Sequence, residues 1–143
     1  MKLLNASKLD SRPLSLSKAL FVLVTVVPLL PQTDTGWQKY ENNPIIGGQY
    51  GTVFDVFVLK EGPKYRMWAS WRPKHSLALF ESEDGIHWSE PQIVLGPNPN
   101  TDWEQDINRP AVVKRADGYH LWYTGQWHAA QADGRSGIGY ATS

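Results

Sequence analysis

From Trp37 onward, apolar and polar positions run in short stretches separated by turn residues. "VFDVFVLK" (53–60) is apolar and β-branched. "KYRMWAS" (64–70) alternates Tyr65, Met67 and Ala69 with Lys64, Arg66 and Trp68. Both read as strands, and "EGPK" between them, with Gly62 and Pro63, reads as a hairpin turn. "SLALFES" (76–82) is a third strand. "EDGIHW" then turns tightly at Asp84-Gly85 and leads into a fourth, "QIVL" (92–95). "GPNPNTDWEQD" is a loop rich in Pro, Asn and Asp, and Asp106 at its end is expected to be solvated there. The order then recurs as "RPAVVKR" (109–115), the turn "ADG", "YHLWYTG" (119–125), the polar loop "QWHAAQADGRS" and "GIGYATS". No segment after Trp37 has the apolar period of a helix of ten or more residues. The expected class is all-β.

The recurrence has a fixed offset. Tyr65 and Trp68 return as Tyr119 and Trp122, 54 positions later in both cases. Ten residues before the tyrosine, the first unit has Asp55 and the second Arg109. A period near 54 with about four strands per unit fits the blade of a β-propeller. A sandwich would not require the same aromatic spacing twice. Two blades do not close a ring, and "GYATS" corresponds to "LFES" of the first unit, inside a blade. The chain is therefore expected to be a fragment of a propeller, a truncated product, or a chain that needs a partner. Blade one is expected at about 45–98 and an incomplete blade two at about 106–143, within a propeller part spanning 37–143. In the repeated strand, Trp68 and Trp122 are expected in the core.

Residues 1–36 differ from the rest. Lys2, Lys8, Arg12 and Lys18 precede the apolar run "ALFVLVTVVPLL", Ala19 to Leu30. Twelve residues are too few to span a bilayer, which takes about 20. They fit the apolar centre of a secretory signal peptide. "PQTDTG" offers no A-x-A-like cleavage site, so an uncleaved membrane anchor and a non-targeting extension stay open. The expectation is a secreted protein, with a cytoplasmic one as the alternative.

Composition narrows the function classes. Fourteen basic and fourteen acidic residues give zero formal charge, against nucleic-acid or anionic-membrane binding. With no cysteine there is no disulfide and no thiolate zinc site. Seven tryptophans and six tyrosines all follow position 36. Such rings suit cores, and also surfaces that hold amphipathic ligands such as sugars. His75, His87, His120 and His128 show no ligand spacing, so no metal is expected. No Gly-rich phosphate loop, nucleophile elbow or Ser-His-Asp set appears, and no cofactor is expected.

The segments "NPIIGG", "FDVFVLKEGPKYRMWASWRPKHSLALFESEDGIHWSEPQIVL", "RPAVVKRADGYHLWYTGQ" and "SGIGYATS" resemble the five-bladed β-propeller glycosidases. These are glycoside hydrolase families 32, 43 and 68 and the related family 130. The likeness runs from about Trp37 to Ser143, the length of two blades. It implies a carbohydrate substrate and three carboxylates from successive blades around a central funnel: a base or nucleophile, a tuning aspartate, and a general acid. Glycosidic cleavage needs one group to protonate the departing oxygen while another attacks or activates water.

Carried over by residue, the resemblance makes Asp55 the base or nucleophile; the alternative is a strand-initiating aspartate bonded to nearby backbone. Where the second blade usually has Asp-Pro, this chain has Asn108-Arg109-Pro110. Arg109 cannot donate a proton at neutral pH, but its planar fork can bind carboxylate, phosphate or sugar hydroxyls. The alternative for Arg109 is a structural pair with an acidic neighbour such as Glu104. Asn108, Arg72, Trp71 and Trp127 are expected substrate contacts, with Lys74 at the same mouth; surface solvation or packing between blades is the alternative. The general acid would come from a later blade. The expected function is glycoside hydrolase-like, without activity in this chain alone; the alternatives are a non-catalytic carbohydrate-binding propeller and an inactive truncated product.

Overall fold

A computed structural model describes residues 36–127 and 134–143. The chain divides between Trp37 and Gln38, and the second unit, Gln38–Ser143, carries every element below. The expected signal or anchor segment, Ala19 to Leu30, lies outside the described residues, as does His128.

The unit holds two antiparallel sheets. The first has the order β1–β2–β3–β4: β1 (Val53–Glu61), β2 (Lys64–Trp71), β3 (Ser76–Ser82) and β4 (Gln92–Leu95). The second has the order β5–β6–β7: β5 (Asp106–Arg115), β6 (Gly118–Gln126) and β7 (Ser136–Thr142). Two single 3-10 turns, Gly48–Tyr50 and Arg72–Lys74, complete the described elements. The all-β expectation holds, and within each sheet the strands follow one another in sequence order.

The β1–β2 turn is as tight as its Gly-Pro sequence suggests: Glu61 pairs with Lys64 across it, and Gly62 takes φ 59°. The Asp84-Gly85 turn is not a two-residue hairpin. β3 ends at Ser82 and β4 starts at Gln92, and side chains shape the bend between them. The Asp84 carboxylate accepts the Ile86 and His87 N–H groups, each at 2.8 Å, and Ser82 Oγ accepts the Gly85 N–H at 2.9 Å. Such side-chain bonds offer the backbone an alternative to the ladder.

The repeat is visible in the register. Phe54 pairs with Ser70 and Phe57 with Trp68, and the ladder slips between Phe54 and Phe57. In the second sheet Asn108 pairs with Thr124 and Ala111 with Trp122, with the same slip between. Each slip is a β-bulge, which leaves residues out of the ladder and bends the strand. The two bulges hold Asp55-Val56 and Arg109-Pro110, so the sequence offset of 54 is also a structural equivalence.

The core lies between the sheets. Trp68 and Leu77 of the first sheet pack with Ile107, Val112, Leu121 and Tyr123 of the second, with Phe57 and Leu79 against them. The far face of the first sheet buries Met67, Ala69, Ala78 and Phe80 beneath Ile46, Tyr50, Trp71 and Trp88. Full burial of Phe80 or Leu77 stabilises by about 1.5–3 kcal/mol each. Trp122 corrects an expectation. Its equivalent, Trp68, is 6% exposed, but Trp122 is 37% exposed and packs on Tyr140, ring centroids 5.2 Å apart. The cause is position: the Trp68 face meets the second sheet, whereas the equivalent face, with Val113, Ile138 and Tyr140, is exposed.

The "YTG" end of β6 also has a packing reason. A Cβ on Gly125 would stand 2.6 Å from the Trp103 ring, and one on Gly137 2.9 Å from it. These two glycines let the loop tryptophan lie against the sheet, where it stacks on Tyr123 at 6.2 Å.

Candidate functional site

Strained backbone marks one end of the two-sheet unit. Among the described residues, three non-glycine residues have positive φ: Asp55 (49°), His75 (53°) and Arg109 (53°). Asp55 and Arg109 owe this to the two bulges; His75 ends the Arg72–Lys74 turn. A residue other than glycine held left-handed costs about 1–2 kcal/mol, so surrounding bonds must hold it.

Those bonds join the three sites. The Arg109 N–H, which the bulge removes from the ladder, donates to Ser70 Oγ at 2.9 Å, and Ser70 is fully buried. The Ile107 N–H donates to the His75 carbonyl at 3.1 Å. The His75 ring Nδ1 bonds the Asp106 carboxylate. Arg109 Nε faces Asp55 Oδ2 at 3.6 Å, with side chains 59% and 34% exposed. That separation is electrostatic contact rather than a hydrogen bond.

This geometry identifies the acidic neighbour of Arg109 and revises one expectation. Arg109 pairs with Asp55, not with Glu104. The Glu104 carboxylate accepts from Tyr123 Oη, Thr101 Oγ1 at 2.8 Å and Asn98 Nδ2 at 3.0 Å. Burial pushes its carboxyl upward, but these hydrogen bonds outweigh it and hold it below the usual range. Asp106 is not a solvated loop residue; it opens β5 with its side chain 15% exposed against His75. His75 itself carried no sequence signal, because its partner lies 31 positions away.

The Arg72 guanidinium lies 4.9 Å from the centre of the Phe54 ring, one residue from Asp55. The Lys74 ammonium lies 5.8 Å from the Trp71 ring. Trp71 is half-buried, and its indole N–H donates to the Tyr50 carbonyl at 2.8 Å. Asn108 is buried and donates to Gln126 Oε1 at 2.8 Å, so it braces the strand pair beneath Arg109. Trp127 follows β6, with the Arg135 guanidinium 5.1 Å from its ring centre.

A second polar network lies at the hairpin end of the sheets. Arg66 bonds Glu61 and Glu81, each at 2.9 Å, and the Tyr119 hydroxyl donates to Glu61. A cleft of about 440 Å³ opens beside it, lined by Arg66, Trp68, Leu79, Tyr119 and neighbours; no residue of the Asp55–Arg109 cluster reaches it. These bonds tie one sheet to the other. Among the described residues no group of three or more His, Asp or Glu could hold a metal ion.

No protein-family model matches the sequence, and no curated protein matches it. Solved structures do. A glycoside hydrolase superposes with a TM-score of 0.59 at 20% identity, over 75% of this chain and 32% of that one. The BT0996 RGII complex gives 0.60 at 19% identity, over 75% and 32%. The GH43 endo-arabinanase from Bacillus licheniformis gives 0.50 at 21% identity, over 64% and 32%. The protein spans about a third of the length of each of these structures. At such identities the likeness is one of fold. With two equivalent antiparallel sheets in sequence order, residues 38–143 have the fold of β-propeller blades found in glycoside hydrolases.

Proposed function

We propose that this unit forms part of a carbohydrate site at the end of the sheets where Asp55 and Arg109 meet. One observation carries the reading: equivalent positions of consecutive blades, both left-handed, turn opposite charges toward each other on exposed side chains. Strain of this kind collects at functional sites, because only an over-determined surrounding maintains it. The fold relation to glycoside hydrolases supports a carbohydrate as the substrate class.

In this reading Asp55 is the proton acceptor or nucleophile toward a glycosidic bond. Cleavage also needs a carboxylic acid to protonate the leaving oxygen. Arg109 cannot fill that role, since its guanidinium stays protonated. Binding without turnover is therefore expected of this chain, and the acid belongs to a further blade. Arg109 favours a second reading, recognition without catalysis, because it places a cation where the resemblance implies a carboxylate.

Titrating the full chain with arabinotriose while following amide shifts tests the proposal. Perturbations centred on 54–56, 70–72 and 107–109 are expected, with no release of phenol from aryl-glycosides. Shifts confined to the hairpin end, or none, would sink it. Ala19 to Leu30 is read as a secretion signal, and the N-terminal sequence of exported protein checks that.

A further inference from the structure

We propose that the site selects acidic sugars, with the Arg109 guanidinium receiving the carboxylate of a uronic acid residue. This rests on the carbohydrate reading above and narrows its substrate class.

Three features of Arg109 lead there. Its side chain is 59% exposed, and its one ion-pair contact runs from Nε at 3.6 Å, too long for a hydrogen bond. The closest approach is from Nε, and among the described residues the two terminal nitrogens make no hydrogen bond. That end of a guanidinium matches a carboxylate with two parallel N–H···O bonds. Third, the backbone beneath is fixed: φ is 53°, Pro110 follows, and buried Ser70 holds the N–H. A fixed backbone leaves only the side chain's own freedom to be lost on binding.

The neighbouring charge agrees. Arg72 lies over Phe54, which pairs with the same Ser70 that holds Arg109. A second guanidinium therefore stands on the residue next to Asp55, while Asp106 is engaged by His75. A neutral sugar gains nothing from these cations that a hydroxyl-lined site would not supply. A uronate does, in a position where the ring meets Asp55 and the carboxylate meets Arg109.

Calorimetric titration of the full chain with trigalacturonate, its methyl ester and arabinotriose tests the assignment. The free acid is expected to bind about tenfold more tightly than the ester, and Arg109→Gln to remove that preference. Arg109→Lys should restore part of the affinity, since it returns charge without the fork. The preference should also weaken as salt rises. Equal affinity for acid and ester in the unaltered chain would overturn the proposal, and that comparison needs no variant. If arabinotriose binds at 54–56 and 107–109 as tightly as the acid, the acidic preference fails while the carbohydrate site stands. If none of the three binds, both fail. Inorganic phosphate competing as well as the uronate would show a general anion site, and would overturn the sugar-acid assignment too.

Discussion

Arg109 Nε stands 3.6 Å from Asp55 Oδ2, and the two residues occupy the same bulge position in consecutive blades. The exchange of carboxylate for guanidinium between copies therefore creates a pair rather than merely deleting an acid. The pair is partly exposed, so its Coulomb gain is screened and its contribution to folding is about 0–1 kcal/mol. A double-mutant cycle of Asp55→Asn and Arg109→Gln, followed by urea unfolding, should give a coupling energy in that range. A coupling several times larger would mean that the pair is structural.

Backbone strain predicts a different series at the same position. Arg109→Gly removes the left-handed penalty but adds unfolded-state entropy, so the two effects should roughly cancel, within about 1 kcal/mol. Arg109→Val places a β-branched residue at φ 53° and should cost about 1–2 kcal/mol more than the glycine variant. If Val and Gly unfold at the same urea concentration, the bulge adapts and its strain does not position the guanidinium.

Trp68 and Trp122 separate repeat from environment. Trp68→Ala opens the core between the sheets and should cost about 3–5 kcal/mol. Trp122→Ala, at the equivalent but more exposed position, loses its ring contact with Tyr140 and less buried surface, and should cost about 1–2 kcal/mol. Chemical denaturation of the two variants checks the ratio; equal losses would show that the outer face of the second sheet is covered in solution.

The same comparison shows what the sequence could disclose. Strands and turns were legible because alternation and Gly-Pro or Asp-Gly punctuation are local. So was the equivalence of Asp55 and Arg109, since the 54-residue offset needs no coordinates. The extra length of β5 was not, because its first residues look like loop and are kept in the sheet by Asp106–His75 and Ile107–His75 bonds from another strand pair. Trp122 looked like core for the reason Trp68 is core; only packing distinguishes them. Which acidic neighbour Arg109 meets was not legible, because Asp55 lies 54 positions away and is brought to it by the paired bulges.

Gly125 and Gly137 provide a test of the Trp103 seat. Alanine at either position puts a Cβ within 3 Å of the indole, closer than such atoms pack, so the ring must move. Each variant should lose about 1–3 kcal/mol, with a red-shifted tryptophan emission as Trp103 gains water. Unchanged emission and stability would show that the loop yields without cost.

The Tyr123–Glu104 contact under that ring contributes to the pH response at both ends. Burial first, and then the Glu104 carboxylate, push the Tyr123 hydroxyl up to about 12 from its ordinary 10.0. A raised folded value means that the stabilisation is whole below pH 10 and is lost as pH climbs from 10 toward 12. Glu104 behaves oppositely: its carboxyl lies below the ordinary 4.5 in the folded chain, so its contribution is present above that pH and fades as pH falls further. Tyr123→Phe should therefore reduce the alkaline loss, while Glu104→Gln should reduce the acid loss and leave Trp103 stacked. Urea midpoints measured from about pH 3 to 11 distinguish the two limbs. An alkaline limb unchanged in Tyr123→Phe would assign that loss to another group.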